Sequence, residues 1–254
     1  MHKYEETAIV IRQEEIADDI YSMWIRTENI AGEAKAGQFL SLYCNEGSRL
    51  LPRPISICEI DKKDKAIRLV YRVAGKGTEE FSALHTGSQV RVVGPLGNGF
   101  PKKDLSAFLM GGGIGIPPML QLAKELNCEK KMILGFRNEL FLMDEFKKQG
   151  EVYVATEDGG VGTRGNVLDA IAENGLTADI IYACGPIPML RALKEYAKER
   201  GMECYISMEE RMACGIGACL ACVCQSTEKD AHSNVNNKRV CKEGPVFAAE
   251  EVEL

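Results

Sequence analysis

Cysteine spacing constrains this chain more than any other feature. Of its ten cysteines, Cys214, Cys219 and Cys222 follow the pattern C-x4-C-x2-C, and Cys241 stands further along as a fourth. This is the spacing of the four thiolate ligands of a plant-type [2Fe–2S] cluster. Glycines between the first two cysteines let the backbone fold tightly and point amide groups at the cluster sulfurs. We therefore expect a small iron–sulfur domain over residues 208–254.

Zinc is the chemical alternative, because four cysteines also form closed tetrahedral zinc sites. Zinc sites usually take their cysteines from two short pairs, whereas Cys241 stands alone, so the spacing favours iron and sulfur. Cys224 alternates with Cys222 in a predicted short strand, and we expect its thiol to point away from the cluster. Four further cysteines are expected to be small buried hydrophobic residues: Cys44, Cys58, Cys128 and Cys204.

The remaining composition excludes several classes of protein. Thirty-one basic and 37 acidic residues give a net charge of −6, so no basic surface for nucleic acid is expected. The first residues, MHKYEETAIVIRQEE, are charged throughout, unlike a signal peptide. The longest uncharged run, 105–123, is interrupted by glycines and prolines, so no membrane span is expected. We expect a cytoplasmic protein, because reducing surroundings favour cysteines that bind metal.

Two periodicities divide the rest of the chain. Residues 1–101 alternate apolar and polar positions in short segments, which predicts a small antiparallel β-barrel. Residues 102–207 alternate strands with helices, which predicts a doubly wound α/β domain with a parallel sheet. The predicted strands are 7–11, 22–26, 38–43, 67–73, 89–93, 107–110, 132–136, 152–156, 180–183 and 204–206. The predicted helices are 117–126, 140–149, 167–174 and 189–200.

Two elements at strand ends predict a dinucleotide site in the α/β domain. They are a glycine-rich turn that opens a helix and a short turn after a later strand: Gly111, Gly112, Gly113 and Gly115, then Cys184, Gly185 and Pro186. Glycine lets a backbone approach a pyrophosphate, whose charge a helix N-terminus favours. Because ligands bind at the carboxyl ends of parallel strands, both elements should face one crevice. The turn departs from G-x-G-x-x-G, so two structural turns are the alternative.

Two carboxylates predict which nucleotide is preferred. Glu157 and Asp158 follow the strand predicted over 152–156. Carboxylates there accept hydrogen bonds from an adenosine ribose and repel a 2′-phosphate, whereas NADP sites commonly use arginine. Arg137 follows the neighbouring strand and works against this argument. We expect NADH to be preferred over NADPH.

The barrel region carries two further candidate anion-binding motifs. The first motif consists of Arg53, Pro54, Ile55 and Ser56. Its arginine lies beside a strand whose backbone is fixed by proline, and such an arginine could clamp a diphosphate. The other is Gly77 with Thr78 at the start of a predicted helix, which would bind the same group. Taken alone, each motif also fits a surface arginine or an ordinary turn.

In this order, the motifs R-P-x-S, G-x-G-T, the glycine-rich turn and C-G-P resemble the ferredoxin–NADP reductase superfamily. The segments Met-Ala-Cys-Gly-Ile-Gly-Ala-Cys and Cys-Lys-Glu-Gly-Pro-Val-Phe narrow the resemblance to the electron-transfer subunits of bacterial, heteromeric, NAD-dependent dihydroorotate dehydrogenases. The resemblance spans essentially the whole chain.

The resemblance implies roles for residues. The arginine of R-x-x-S holds the FAD pyrophosphate and the serine lies near flavin N5, which gives Arg53 and Ser56 these roles. Many members have an aromatic residue where this chain has Ile55. The resemblance implies further residues of the FAD site. A strand segment would run along the flavin, namely Val70, Tyr71 and Arg72, and a turn would cap the pyrophosphate, namely Gly77 and Thr78. Residues 111–115 and 184–186 would hold the nicotinamide nucleotide, with Cys184 near its ring.

The resemblance also implies a function. An FMN-containing catalytic subunit would oxidise dihydroorotate to orotate in pyrimidine biosynthesis, and electrons would pass through the cluster and FAD to NAD⁺ within a heterotetramer. FAD is the step between the two carriers, because a nicotinamide transfers two electrons and a cluster one. None of His2, His85 and His232 is assigned a catalytic role. The alternatives are a diaphorase-type subunit of a hydrogenase or ferredoxin-dependent transhydrogenase, and a non-enzymatic zinc-binding interaction module.

Uncharged residues beside the cysteines predict a docking surface. Ile216, Ala218 and Leu220 would form a small apolar patch for the partner. The alternative is that they only cover the cluster and exclude water. The polar stretch 226–239 is expected to be a rim or a flexible loop.

Overall fold

The computed structural model describes residues 2–137, 139–229 and 234–254, so His232 and part of the polar stretch lie outside the described residues. The first hundred residues form a closed antiparallel barrel in the order β1-β2-β5-β4-β3-β6. Its strands are β1 (Tyr4–Ala17), β2 (Ile20–Arg26), β3 (Phe39–Tyr43), β4 (Arg53–Asp61), β5 (Ala66–Arg72) and β6 (Gln89–Leu96). Two short helices, α1 (Ile30–Glu33) and α2 (Lys76–Ser82), lie between strands.

Side-chain alternation divides each barrel strand between two cores. On β5, Ile67, Leu69 and Tyr71 point into the barrel interior. Val70, between them, instead packs with residues of the following domain. A strand buried on both faces is therefore shared between the barrel core and the interface with the next domain.

The second unit is a seven-stranded sheet covered by helices. Six of its seven strands are β7 (Ala107–Gly112), β8 (Lys130–Phe136), β9 (Glu151–Thr156), β10 (Thr163–Arg164), β11 (Ile180–Cys184) and β12 (Glu203–Ser207). They are parallel, in the order β10-β9-β8-β7-β11-β12. The helices are α3 (Pro117–Glu125), α4 (Met143–Lys147), α5 (Val167–Glu173) and α6 (Ile187–Arg200).

The C-terminal segment carries the cysteine loop and returns to the sheet. A two-stranded ribbon, β13 (Val223–Gln225) and β14 (Asn237–Arg239), follows the loop. Strand β15 (Val246–Ala248) then pairs antiparallel with β12 at the edge of the large sheet. Asn98, just after the barrel, binds this segment: its Nδ2 donates to the Glu243 and Val246 carbonyls, both at 2.9 Å. The segment is thus fixed to both larger units.

Polar contacts hold the barrel against the sheet. The Gln121 side chain on α3 accepts a hydrogen bond from the Ile60 amide of β4 at 2.8 Å. Glu59, buried beside it, pairs with Lys124 and with Arg68, the latter at 2.6 Å. The pairing satisfies a carboxylate that would otherwise be costly to bury. No helix among the described residues has the length and apolar character needed to cross a membrane.

The fold confirms the barrel and parallel sheet predicted from the sequence, with each predicted strand present. Strand β4 was missing from the predicted strands, because Pro54 interrupts the alternating pattern and is tolerated inside this strand. Helix α4 is shorter than the predicted 140–149, since Leu142 has a φ of 60° that a continuous helix does not allow.

Candidate functional site

A cavity of about 920 Å³ lies between the barrel and the sheet. Strands β4 and β5, the loop before β4 and residues 208–212 before the cysteines line it, with Ile114 of the glycine-rich turn. Its volume lies near the upper end of the range of roughly 300–1,000 Å³ typical of cofactor sites. The cavity is therefore large enough for a dinucleotide cofactor, and it lies next to the cysteine segment.

Two motifs that are distant in sequence meet at this cavity. The Arg53 guanidinium lies directly on Gly77, and a Cβ added there would stand 2.6 Å from Arg53 Cζ. Any side chain at residue 77 would therefore displace the arginine. Arg53 also donates a hydrogen bond to the Leu51 carbonyl, which fixes its direction. The structure thus brings together the arginine and the glycine turn that the sequence predicted separately.

Other predicted residues of the barrel line the same cavity. Pro54, Ile55 and Ser56 on β4 are on its wall, as are Val70 and Arg72 on β5. The Tyr71 ring is 2% exposed and stacks with Tyr21 inside the barrel, so only part of that residue faces the cavity. Burial raises the pKa of Tyr71, which keeps its phenol protonated.

The Thr78 hydroxyl is engaged within its own turn. It accepts hydrogen bonds from the amides of Ala74 and Gly75, at 2.9 and 3.2 Å, and donates to the Gly75 carbonyl at 2.9 Å. These bonds hold the start of α2 under Arg53. Thr78 therefore shapes this wall of the cavity through its own turn.

Sequence reasoning missed an ion pair that orders the cavity mouth. Glu80 on α2 accepts from the Asn45 amide at 2.6 Å and from Arg49 Nη1 at 2.5 Å. Arg49 itself lines the cavity. Partial burial raises the pKa of Glu80, but these hydrogen bonds outweigh it and lower the pKa overall. No motif signals this pair, because its members lie in a loop and a helix far apart in sequence.

The two predicted nucleotide turns lie side by side. Strands β7 and β11 are neighbours, with Gly111 opposite Cys184. Gly112 packs closely on Pro186, and a Cβ added at Gly112 would stand 3.0 Å from Pro186 Cδ. Gly185 packs on Gly112 in the same way, since a Cβ added at Gly185 would stand 3.2 Å from Gly112 Cα. Gly113, with a φ of 54°, faces open space. The glycines thus permit close packing of the two turns, and Gly113 leaves the crevice above them open.

Cys184 and Gly115 form the floor of this crevice. The Cys184 side chain is fully buried, and its burial raises the pKa of the thiol far above the usual range. Gly115 packs on the Cys184 backbone, where an added Cβ would stand 2.5 Å from its carbonyl carbon. The thiol is neutral and enclosed in this conformation.

Glu157 and Asp158 are exposed at the same edge, two strands from β7. Asp158 Oδ1 accepts from the Gly160 amide at 2.9 Å, and this bond lowers its pKa although slight burial raises it. Arg164, which sequence reasoning passed over, contributes to that lowering by its charge. Arg137 is exposed at the end of β8. This edge of the sheet therefore carries both acidic and basic side chains.

The four predicted ligand cysteines all lie in the C-terminal segment, where Cys222 and Cys241 are buried and Cys219 is exposed. In this conformation, no three metal-binding side chains among the described residues converge closely enough to hold a metal ion. The Cys241 amide points to Cys222 Sγ at 3.5 Å. Two thiolates on each of two irons is the ligand arrangement of a [2Fe–2S] cluster, whereas a structural zinc takes four on one ion. The spacing of the four cysteines in the sequence is what favours iron and sulfur over zinc.

Backbone amides surround the sulfur of Cys214, the first of the predicted ligands. The amides of Ile216 and Ala218 point to Cys214 Sγ at 3.5 and 3.3 Å. Burial raises the pKa of Cys214, but the amides outweigh it and lower the pKa to about 6. Glycines at 215 and 217 have φ values of 67° and 90°, which other residues rarely adopt. The loop is thus built to stabilise negative charge on sulfur.

Arg239 holds the loop from outside. Its Nη1 donates to the Gly217 carbonyl at 2.8 Å, and its Nε donates to Glu243 at 3.0 Å. We predicted Arg239 only as part of a polar rim, yet it links the cysteine loop to the segment of Cys241. Its place two residues before Cys241 belongs to no motif that would predict this bond.

The remaining cysteines differ in burial. Cys224 lies in β13, as predicted, and is 7% exposed among residues of the large core. Cys58 and Cys204 are buried, whereas Cys44 and Cys128 are only half-buried, so the expectation of buried cysteines was wrong for these two. Both lie in loops next to strand ends, where neighbouring segments cover them incompletely.

Comparison with known proteins agrees with this geometry. A family model described as the iron-sulfur cluster binding domain of dihydroorotate dehydrogenase B matches residues 209–253. A protein of Fusobacterium nucleatum named "Dihydroorotate dehydrogenase B (NAD(+)), electron transfer subunit" is 44% identical, and the match covers 98% of each chain. A Bacillus cereus protein of the same name is 42% identical over 98% of this chain and 99% of its own.

A solved structure shares the whole architecture. An NADH-dependent reduced ferredoxin-NADP oxidoreductase, studied for flavin-based electron bifurcation, superposes with a TM-score of 0.87. It is 29% identical and is matched over 98% of this chain and 90% of its own. Barrel, parallel sheet and cysteine domain together define an oxidoreductase of the ferredoxin reductase type.

Identity over the full length defines the group more narrowly. The chain belongs to the family of electron transfer subunits of NAD⁺-dependent dihydroorotate dehydrogenase B.

Proposed function

We propose that this chain relays electrons between the FMN of a dihydroorotate dehydrogenase catalytic subunit and NAD⁺, in the pyrimidine pathway. Oxidation of one dihydroorotate to orotate releases two electrons and two protons, and reduction of one NAD⁺ takes up two electrons and one proton. The observation that carries the proposal is a cysteine loop, with backbone amides directed at Cys214 Sγ, next to a cavity of dinucleotide size within one chain. Its relatives' names supply the substrate.

The residues have the following proposed roles. Arg53, resting on Gly77, binds the FAD pyrophosphate, and Ser56 lies near flavin N5. The flavin, when bound, exchanges two electrons with a nicotinamide and single electrons with a cluster. Residues 111–115 and 184–186 bind the nicotinamide nucleotide at the carboxyl ends of β7 and β11. Cys214, Cys219, Cys222 and Cys241 hold the [2Fe–2S] cluster.

The cellular setting follows from the ligand chemistry. All ten cysteines are free thiols, and a reducing compartment keeps ligand thiols available. We place the protein in the cytoplasm, in a heterotetramer with its catalytic partner.

A second candidate is a diaphorase-type subunit of a ferredoxin-dependent transhydrogenase. The TM-score of 0.87 with the ferredoxin-NADP oxidoreductase supports it. The identity of 29% is lower than the 44% to the dihydroorotate dehydrogenase subunit, which favours the first proposal. Ferredoxin oxidation by the purified chain, with no response to the FMN subunit, would favour the second.

The partner docks, in this proposal, on the apolar residues around the cysteine loop. Ile216 and Leu220 are 46% and 59% exposed, and Cys219 between them is exposed. Leu220 has a φ of 60°, a strained conformation for a leucine, and strain of this kind concentrates at functional sites. An exposed ligand shortens the path for an electron to a partner's flavin.

A charge at the patch tests this docking. In Leu220→Glu, with cluster content unchanged, NADH oxidation with a dye should persist while transfer to the FMN subunit is lost. Val161→Glu, an exposed apolar residue of the sheet domain, is the control. Intact coupling in Leu220→Glu would show that these residues only cover the cluster.

The purified chain alone tests the relay itself. Its visible spectrum should contain flavin and iron–sulfur bands, and NADH should reduce artificial acceptors through it. Dihydroorotate should reduce nothing, because the chain carries no site assigned to that substrate. A colourless, zinc-containing protein without this activity would overturn the proposal in favour of an interaction module.

A further inference from the structure

A buried hydroxyl next to the cysteine loop has no partner in the protein. Ser41 on β3 is fully buried. Among the described residues, its Oγ is the one buried side-chain oxygen or nitrogen without a hydrogen bond. Leaving such a group unpaired is costly, because its hydrogen bonds to water are lost without replacement. A hydroxyl in this position therefore points to an acceptor that the polypeptide does not supply.

Ser41 faces the cysteine segment. Leu40 and Leu42 point into the barrel core, so alternation turns Ser41 outward. Phe39, on the same face, packs in one cluster of side chains with Cys222 and Cys241. The nearest neighbours of Ser41 Oγ include the loop itself, because a Cβ added at Gly215 would stand 2.8 Å away. Gly215 directly follows the ligand Cys214.

On the loop side, as elsewhere in the described structure, no protein group forms a hydrogen bond with this hydroxyl. Leu96 Cδ1, which lies 3.3 Å from the same Gly215 position, is apolar. The backbone amides of Ile216 and Ala218 already point to Cys214. Amides therefore surround the Cys214 sulfur from its own loop, and Ser41 brings an unpartnered hydroxyl to that loop from the barrel.

We propose that Ser41 donates a hydrogen bond to a sulfur of the [2Fe–2S] cluster and raises its reduction potential. The proposal rests on the cluster assignment in the proposed function. A reduced cluster carries one more negative charge than the oxidised one, so a donor stabilises the reduced form more. Ser41 thus links the cluster to the barrel, and the barrel binds the FAD with which the cluster exchanges electrons. Its hydrogen bond sets how readily the cluster accepts an electron.

Redox titration of the purified protein, followed by the EPR signal of the reduced cluster, tests this. Ser41→Ala should shift the one-electron equilibrium toward the oxidised cluster by roughly threefold to tenfold, the latter being about 59 mV. The FAD potential should not move. Ser22→Ala is the control, because Ser22 is equally buried in the barrel but accepts from Arg68 Nε at 2.8 Å. It should leave the cluster potential unchanged.

The outcomes separate this proposal from the broader one. An unchanged potential in Ser41→Ala with full iron content would overturn the hydrogen bond and leave the relay intact. A wild-type protein without iron and sulfide would overturn the relay itself.

A second pair of variants covers failed assembly. If Ser41→Ala does not hold a cluster, Ser41→Thr and Ser41→Val add the same bulk, and only Thr keeps the hydroxyl. A higher potential, or better cluster retention, in Thr than in Val supports the hydrogen bond. Equal behaviour, including loss of the cluster in both, would assign Ser41 a packing role and overturn the proposal.

Discussion

Arg53 of β4 rests on Gly77 of α2, with so little space that a Cβ at residue 77 would stand 2.6 Å from the Arg53 Cζ. The two residues lie far apart in sequence, yet Arg53 lines the cavity between barrel and sheet and Gly77 lies directly against its guanidinium. Because Gly77 has no side chain, the guanidinium has room to lie there, and Gly77 is therefore part of the proposed anion site.

Gly77→Ala should therefore weaken FAD binding. The added methyl displaces the arginine, and we expect the FAD Kd to rise about tenfold or more, equivalent to roughly 1.4 kcal/mol. Gly32→Ala is the matched control, because Gly32 also lies in a short barrel helix but its added Cβ meets nothing within 4 Å. Fluorescence titration of the apoprotein with FAD measures both. Equal affinities in the two variants would remove Gly77 from the site.

The four predicted ligand cysteines should be separable from Cys224 by substitution. Alanine at Cys214, Cys219, Cys222 or Cys241 should abolish the cluster absorption, because each removes one of four iron ligands. Cys224→Ala should keep iron and sulfide near the wild-type content, since Cys224 is in strand β13 beside the core. Loss of iron from the Cys224 variant would contradict the ligand set.

Glu80→Gln should destabilise the cavity mouth in a pH-dependent way. Because the folded state lowers the pKa of Glu80 below 4.5, its stabilisation is present above that value and is lost as pH falls through the folded pKa. At pH 7 we expect a loss of about 1 kcal/mol, or roughly 2–4 °C in Tm. The Tm values of the wild-type protein and of Glu80→Gln, measured by thermal unfolding, should converge at acid pH.

The exposed neighbour Glu79→Gln is the control for this effect. A Tm difference for Glu80→Gln that is constant between pH 7 and pH 3 would mean that the carboxylate charge is not its origin.

NADH should be preferred over NADPH. Glu157 and Asp158 repel a 2′-phosphate, while Arg164 beside Asp158 offsets part of the charge. We expect kcat/KM for NADH with a dye acceptor to exceed that for NADPH by roughly tenfold or more, the size of a difference of about 1.4 kcal/mol. Equal values, or a preference for NADPH, would contradict the role of these carboxylates.

Much of this architecture was predictable because it depends on local patterns. Alternation identifies β5, a short apolar run identifies β7, and cysteine spacing identifies Cys214 and Cys219 without any knowledge of the fold. Glycines mark the turn at 111–115, since close backbone packing excludes side chains there.

Long-range contacts were not predictable. The bond from Arg239 to the Gly217 carbonyl and the pair of Arg49 with Glu80 join segments that no motif links. Ser41 gives no signal in sequence either, because a serine in a strand is ordinary until the loop that covers it is known. These contacts depend on how the C-terminal segment and the loops close over the barrel.

Dihydroorotate-dependent reduction of NAD⁺ tests the central claim most directly. The chain and the FMN-containing catalytic subunit are each assayed alone and then as a complex, by NADH absorbance under anaerobic conditions. We predict NADH formation only in the complex. NADH formation should be lost when the chain in that complex carries Cys219→Ala. NADH formation from dihydroorotate by this chain alone, or an undiminished rate with the Cys219 variant, would contradict the relay.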